Sequence, residues 1–126
     1  MKEIDFSKRA GQREKDMAEY ILVLLRGKNP SVLAMTERFR QYCTWGARNF
    51  CYIISKCGCY GVQFNVSGLT FKGRVRVWYN PASDYFDVEF LRATKETLVK
   101  EFEDLDFEQL HNVLHHNIER TDDPEV

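Results

Sequence analysis

GVQFNVSGLTFKGRVRVWYNPASDYFDVEFL, residues Gly61 to Leu91, decides the fold. Three runs of alternating apolar and polar residues are separated by two turn signals, the pattern of a half-buried antiparallel sheet. Read as a two-residue turn, Ser67-Gly68 pairs Val66 with Leu69, Phe64 with Phe71 and Val62 with Gly73 on one face. The other face then pairs Gln63 with Lys72 and Asn65 with Thr70. The four-residue turn Asn80-Pro81-Ala82-Ser83, with proline placed early as in type I, pairs Val77 with Phe86, Val75 with Val88 and Gly73 with Phe90. Its opposite face pairs Trp78 with Tyr85, Arg76 with Asp87 and Arg74 with Glu89. Both turns imply one sidedness, which a one-residue slip in either would destroy.

Helices are expected upstream of this sheet. From about Lys8 to Arg26, Met17, Tyr20, Ile21, Leu24 and Leu25 recur at helical spacing opposite a charged face. Gly27 occupies a C′ position, and Gly11 weakens the first turn, so the start can lie further in. Asn29-Pro30 restarts a helix, with Asn29 as N-cap and Pro30 at the first helical position. Val32, Met35, Phe39 and Tyr42 or Cys43 mark its buried stripe, and it ends near Trp45-Gly46. Phe50 to Ile54 reads equally as strand or helix, and Cys57-Gly58-Cys59 as an irregular turn into the sheet.

Downstream, Thr97 to Glu103 fits a fourth, edge strand or a helix. The short polar connection and the charges that would guard an edge favour the strand. Asp106 caps a last helix with Gln109 at N3, and Leu105 and Leu110 hold the hydrophobic-staple positions. Phe107, Leu110, Val113, Leu114 and Ile118 form its apolar stripe. The expected architecture is α+β and a single domain over 1–126. It has two N-terminal helices, an antiparallel meander of three or four strands and a C-terminal helix packed on one sheet face. The helices would cover Val62, Phe64, Phe71, Val75, Val77, Phe86, Val88 and Phe90, with 1–7 and 121–126 flexible.

Composition narrows the function classes. A chain of 126 residues with 44% apolar content can fill one modest core. A net charge of −1 argues against a whole-chain polyanion binder and leaves room for a local basic patch. No apolar run approaches a membrane span, and the N-terminal charges do not make a signal peptide, so a cytoplasmic protein is expected. Cys43, Cys51, Cys57 and Cys59 then read as reduced thiols.

Few residues point to chemistry. Cys51, Cys57 and Cys59 with one of His111, His115 or His116 could supply four zinc ligands, but the spacing fits no common structural zinc site. A cysteine–histidine nucleophile pair has no third orienting group, and histidines on the last helix read as solvent-facing or rim residues. No phosphate loop, acid/base pair or metalloprotease motif occurs, so neither an enzyme nor a cofactor is indicated. Lys72, Arg74 and Arg76 alternate beside Trp78 and Tyr85, an arrangement used by single-strand nucleic-acid platforms. Pairing with Asp87 and Glu89 would neutralise much of that patch. Lys8, Arg9, Arg13 and Lys15 oppose the first helix dipole and hint at an anionic partner, diluted by Glu14 and Asp16.

Trp45-Gly46, Gly61-Val62-Gln63-Phe64-Asn65-Val66-Ser67-Gly68 and Phe71-Lys72-Gly73 carry a family likeness. So do Tyr79-Asn80, Asp84-Tyr85-Phe86-Asp87-Val88 and Ile118-Glu119-Arg120. Over roughly residues 42–120 the chain resembles small uncharacterised proteins of bacterial mobile elements. These are similar to accessory domains of the large polyvalent proteins of conjugative elements and phages. The first helix and the cysteine-bearing insert fall outside the likeness, which rests on turns and core positions. It implies a setting of DNA transfer or host takeover and no catalytic residues. The expected function is a non-enzymatic interaction module. Trp78 and Tyr85, flanked by Arg74 and Arg76, would anchor a protein partner or a homo-oligomer. The alternative is nucleic-acid binding through the same outer face and the basic first helix.

Overall fold

The computed structural model describes residues 1–26 and 37–119. Two helices, α1 (Gln12–Arg26) and α2 (Glu37–Thr44), precede a sheet of five strands. These are β1 (Arg48–Ile54), β2 (Tyr60–Ser67), β3 (Lys72–Asn80), β4 (Tyr85–Leu91) and β5 (Leu98–Leu105), and α3 (Gln109–Ile118) follows. The sheet is an antiparallel meander in the order β1-β2-β3-β4-β5. It therefore has five strands, not three or four. Phe50 to Ile54 is a strand, as is the 97–103 segment, because both add a paired edge to an existing sheet. Gly27, Asn29, Pro30, Val32 and Met35, and everything after Glu119, lie outside the described residues.

The sheet's inner face is the one expected. Val62, Phe64, Val66, Val75, Val77, Phe86, Val88 and Phe90 join Ala18, Ile21 and Leu25 of α1 and Leu110, Leu114 and Ile118 of α3 in one core. Trp45, at the end of α2, completes it with no exposed surface. Helix α1 begins at Gln12, with Gly11 O accepting from Lys15 N at 3.0 Å, so the basic residues Lys8 and Arg9 lie before it. Ala18 replaces Tyr20 in its buried stripe; Tyr20 is half exposed. Cys43 is also exposed, while Tyr42 packs against the core.

Both turns differ from the expected ones in length or position. In the first, Ser67 pairs with Lys72 and Val66 with Gly73, so Gly68 to Phe71 form the turn. Its geometry is set from outside the sheet: Thr70 N and Phe71 N both donate to the Ile118 carbonyl at the end of α3, at 2.9 and 3.2 Å. Leu69, expected opposite Val66 on the apolar face, is thrust into solvent. A Cβ at Gly68 would lie 2.3 Å from Ile118 O, so the turn docks only as glycine. In the second, Asn80 pairs with Tyr85 and the turn covers 81–84. Asp84 takes a left-handed φ of 62°, which aspartate tolerates, and its backbone N–H returns to Asn80 O at 2.8 Å. The observed pairs are Val77 with Val88, Val75 with Phe90 and Arg76 with Glu89. Each expected pairing slides by an even number of residues, which keeps every side chain that stays within a strand on its face.

Helix α3 is entered through a reciprocal capping box. Asp106 Oδ1 accepts from the N–H groups of Glu108 and Gln109, both at 2.9 Å, and Gln109 Oε1 accepts from Asp106 N at 3.0 Å. Leu105 and Leu110 are buried as a staple pair requires, but Phe107 turns outward.

At Gly61 the β3 backbone approaches so closely that a Cβ would sit 1.9 Å from Val77 O. Gly61→Ala should therefore lower stability by about 1–3 kcal/mol, as overpacking against unyielding backbone does. Chemical denaturation would show this, and an unchanged midpoint would refute the close approach.

Candidate functional site

The sheet's outer face does not present the expected anchors. Trp78 has no exposed surface and Arg76 only 3%. Trp78 pairs with Asp87, not Tyr85, so the two aromatics are not cross-strand neighbours. The cover is the N-terminal segment, read from sequence as a flexible lead. Ile4 bridges to Ser55, Asp5 N donates to Ile54 O at 2.8 Å and Lys56 N donates to Glu3 O at 2.9 Å. Ile4 packs on a second apolar cluster of Ile53, Cys59 and Trp78.

The charges on this face are paired differently from the expected scheme. Glu89 accepts from the Trp78 indole N–H at 2.9 Å and from Lys2 N at 2.7 Å. Asp87 takes the Lys2 ammonium at 3.0 Å and Asp104 N at 3.0 Å. Burial pulls the Lys2 pKa down, but the hydrogen bond and charge of Asp87 together outweigh it and leave it above the usual lysine value. The arginines turn to another partner: Arg74 and Arg76 both reach Glu96 in the β4–β5 loop, and Arg76 Nε donates to Gln63 Oε1 at 2.8 Å. Arg76 and Arg74 therefore hold the fold's outer layer together. The carboxylates expected to neutralise them fasten down Met1 and Lys2 instead.

Tyr85 is the one expected anchor that stands in the open, and the structure gives it new neighbours. It shares a concavity of ≈ 330 Å³ with Met17 and Tyr20 of α1, Tyr79 and Phe86 of the sheet, and Phe107 before α3. Tyr20, Tyr85 and Phe107 are exposed by 44%, 45% and 53%. The floor is rigid, because Tyr60, Tyr79 and Phe86 follow one another with ring centroids 5.6 Å apart. The Tyr79 hydroxyl donates to Asp84 Oδ1 at 2.6 Å, which locks the left-handed turn beside Tyr85. Asp84 and Asp106 make this rim acidic. Of the basic cluster near α1, Arg13 lies over the Tyr60 ring, 5.2 Å from its centroid, which ties it to the same aromatic row.

The histidines are not all solvent-facing or rim residues. His111 is fully buried, with Nδ1 2.6 Å from Leu25 O and Nε2 2.9 Å from Gln41 Oε1, and so joins α3 to both other helices. The Trp45 indole N–H donates to His115 Nδ1 at 3.0 Å, and the two imidazoles stack with centroids 6.2 Å apart. An open groove of ≈ 640 Å³ runs past His115, His116, Gln41, Asn112 and Asn117. Of its polar groups, Asn117 accepts from Lys100 Nζ and donates to Val113 O. Cys51, Cys57 and Cys59 lie on the other side of the sheet, with Cys51 contacted by Gln63 and Cys57 beside Cys59. Among the described residues no group of three or more His, Cys, Asp or Glu could hold a metal ion, and no helix is long and apolar enough to cross a membrane.

The aromatic rim draws on three segments far apart in sequence, which is why the sequence marks only Tyr85 among them. Helical spacing puts Tyr20 in the buried stripe of α1 and Phe107 on the apolar face of α3. In the structure α1 buries Ala18, Ile21 and Leu25, which turns Tyr20 outward, and Phe107 precedes the first residue of α3. The only trace of the N-terminal cover is Ile4 and Phe6 alternating with Glu3 and Asp5. No family model matches the chain, and neither curated proteins nor solved structures provide a match.

The hydrogen bond to Asp84, with burial and the Asp84 charge, pushes the Tyr79 phenol up to about 12. Because the folded value is raised, this contribution to stability is full below the ordinary tyrosine pKa and is lost as pH climbs towards 12. Ultraviolet titration should show one late-ionising tyrosine that Asp84→Asn returns towards the ordinary range; an unchanged titration would remove the lock. Ile4→Ser should uncover Trp78, seen as stronger acrylamide quenching and red-shifted emission. Quenching equal to wild type would show that the cover does not depend on Ile4.

Proposed function

We propose that this chain is a non-enzymatic interaction module that binds a protein partner through the rim of Tyr20, Tyr85 and Phe107. One observation carries the reading. Three large aromatic side chains, each about half exposed, converge from α1, β4 and the start of α3 on one concavity with a rigid aromatic floor. Aromatic anchors around a pocket are what interface hot spots use, because they supply large contact area at low entropic cost. The Asp84 and Asp106 carboxylates on the same rim favour an apolar or aromatic anchor flanked by Lys or Arg. They disfavour a polyanion, and Arg74 and Arg76 are already engaged by Glu96. The mobile-element setting rests on the resemblance over residues 42–120, and neighbouring genes for transfer or integration would support it.

Selection of displayed peptides against the immobilised full chain tests the reading. Enriched peptides should carry an apolar anchor next to a basic residue. The triple variant Tyr20→Ser, Tyr85→Ser, Phe107→Ser should bind them about a hundredfold or more weaker, since removing several anchors costs at least about 3 kcal/mol. Equal binding by the variant would overturn it. Concentration-dependent self-association abolished by the same substitutions would make the partner a second copy. Salt-sensitive binding to DNA with no peptide enrichment would favour the nucleic-acid alternative.

A further inference from the structure

The turn between β1 and β2 carries a pair of thiols that the interaction reading does not use. Cys57 and Cys59 flank Gly58, and their sulfurs lie 3.8 Å apart. A disulfide needs about 2.05 Å, so closure requires a small movement of one turn. Gly58 has a φ of 97°, and a Cβ built there would meet nothing within 4 Å, so the turn is open to solvent on that side. The two sulfurs are not equivalent. Cys57 is exposed, whereas Cys59 is 4% exposed and packed with Ile53 and Trp78. A molecule arriving from solvent meets Cys57 first, and Cys59 is adjacent to it from within.

The hydrogen bonds around the pair are oriented. Ser55 is fully buried, and its Oγ accepts from Cys59 N at 2.9 Å. Once Cys57 is ionised, the Ser55 hydroxyl is the donor to Cys57 Sγ, 3.1 Å away. That bond favours the Cys57 thiolate and lowers its pKa, with further help from the Cys59 N–H and S–H and the Lys2 ammonium. With Cys57 ionised, the Cys59 S–H is the donor across the 3.8 Å gap. Burial and the neighbouring sulfur push Cys59 up to about 11, so it stays protonated while Cys57 reacts. Cys51 has none of this: it sits beside Gln63, and burial raises its pKa.

We propose that Cys57 and Cys59 form a thiol–disulfide exchange site for small disulfides of the glutathione class, in which Cys57 attacks and Cys59 resolves. In the first step Cys57 Sγ bonds to one sulfur of glutathione disulfide, whose S–S bond breaks. One glutathione thiolate leaves, takes up a proton, and a Cys57–glutathione mixed disulfide remains. In the second step Cys59 gives up its proton and bonds to Cys57 Sγ, releasing the second glutathione as a thiol. Two protein thiols are oxidised and one small disulfide is reduced to two thiols. The turn also holds the N-terminal cover through Lys56 N to Glu3 O and the Ile4–Ser55 bridge. Closing the sulfurs therefore strains the seat of residues 3–5 over Trp78.

The full chain is equilibrated in buffers of varied glutathione ratio, quenched with acid and mapped by mass spectrometry, with Trp emission followed in parallel. Wild type should lose two hydrogens through a Cys57–Cys59 linkage and change its Trp emission, both reversed by reductant. Cys59→Ser should stop at a mixed disulfide on Cys57, formed at least about tenfold faster than any on Cys51. Cys57→Ser should leave Cys59 unmodified. Circular dichroism of the two serine variants separates loss of chemistry from loss of fold, and their far-ultraviolet spectra should match wild type. Comparable glutathione uptake at Cys43, Cys51 and Cys57, or a wild type that stops at the mixed disulfide, would overturn the proposal.

Discussion

Burial of β3 on both faces constrains the rest of the structure. Val75 and Val77 face the helices with no exposed surface, and Trp78 and Arg76 on the opposite side are buried as well. A central strand cannot leave an indole N–H and a guanidinium in an apolar layer without acceptors. Glu89 supplies the first, and Gln63 and Glu96 the second. Glu89 and Asp87 are then themselves largely buried and need donors, which come from Lys2. The N-terminal segment is thus drawn across the sheet by a chain of polar obligations that begins at β3.

The inner layer is held by a different device. His111 spans from the Leu25 carbonyl to Gln41 and so ties the end of α1, the body of α2 and the start of α3. Trp45 packs against the His111 and His115 imidazoles and donates to the second. The far end of α3 clasps the β2–β3 turn through the Ile118 carbonyl, an otherwise unsatisfied acceptor at a helix terminus. One helix therefore fixes both the helical layer and a sheet turn.

These two layers determine what is left for contacts. The outer face, which carries most of the alternating positive charge, is consumed by the fold. At one end of the sheet the Tyr79–Phe86 row floors a concavity, and Tyr20, Tyr85 and Phe107 stand around it. The thiol turn lies between β1 and β2 and is built on Ser55, so partner binding and thiol chemistry use different side chains.

From the sequence alone, the alternation in residues 61–91 determined which side chains share a face, because pleating has a period of two and every error in the turns was even. The α+β class, the capping box at Asp106 and the end of α2 near Trp45-Gly46 were legible for similarly local reasons. Pairing partners were not, since turn lengths depend on the distant Ile118 carbonyl and the Tyr79–Asp84 bond. Nor was the fate of Trp78: whether an outer face meets water depends on segments far away in the chain. Tertiary structure alone decided that residues 1–4 cover it. It also decided that Tyr85 finds its companions in Tyr20 and Phe107, because side chains remote in sequence share a surface only after helices and sheet have packed.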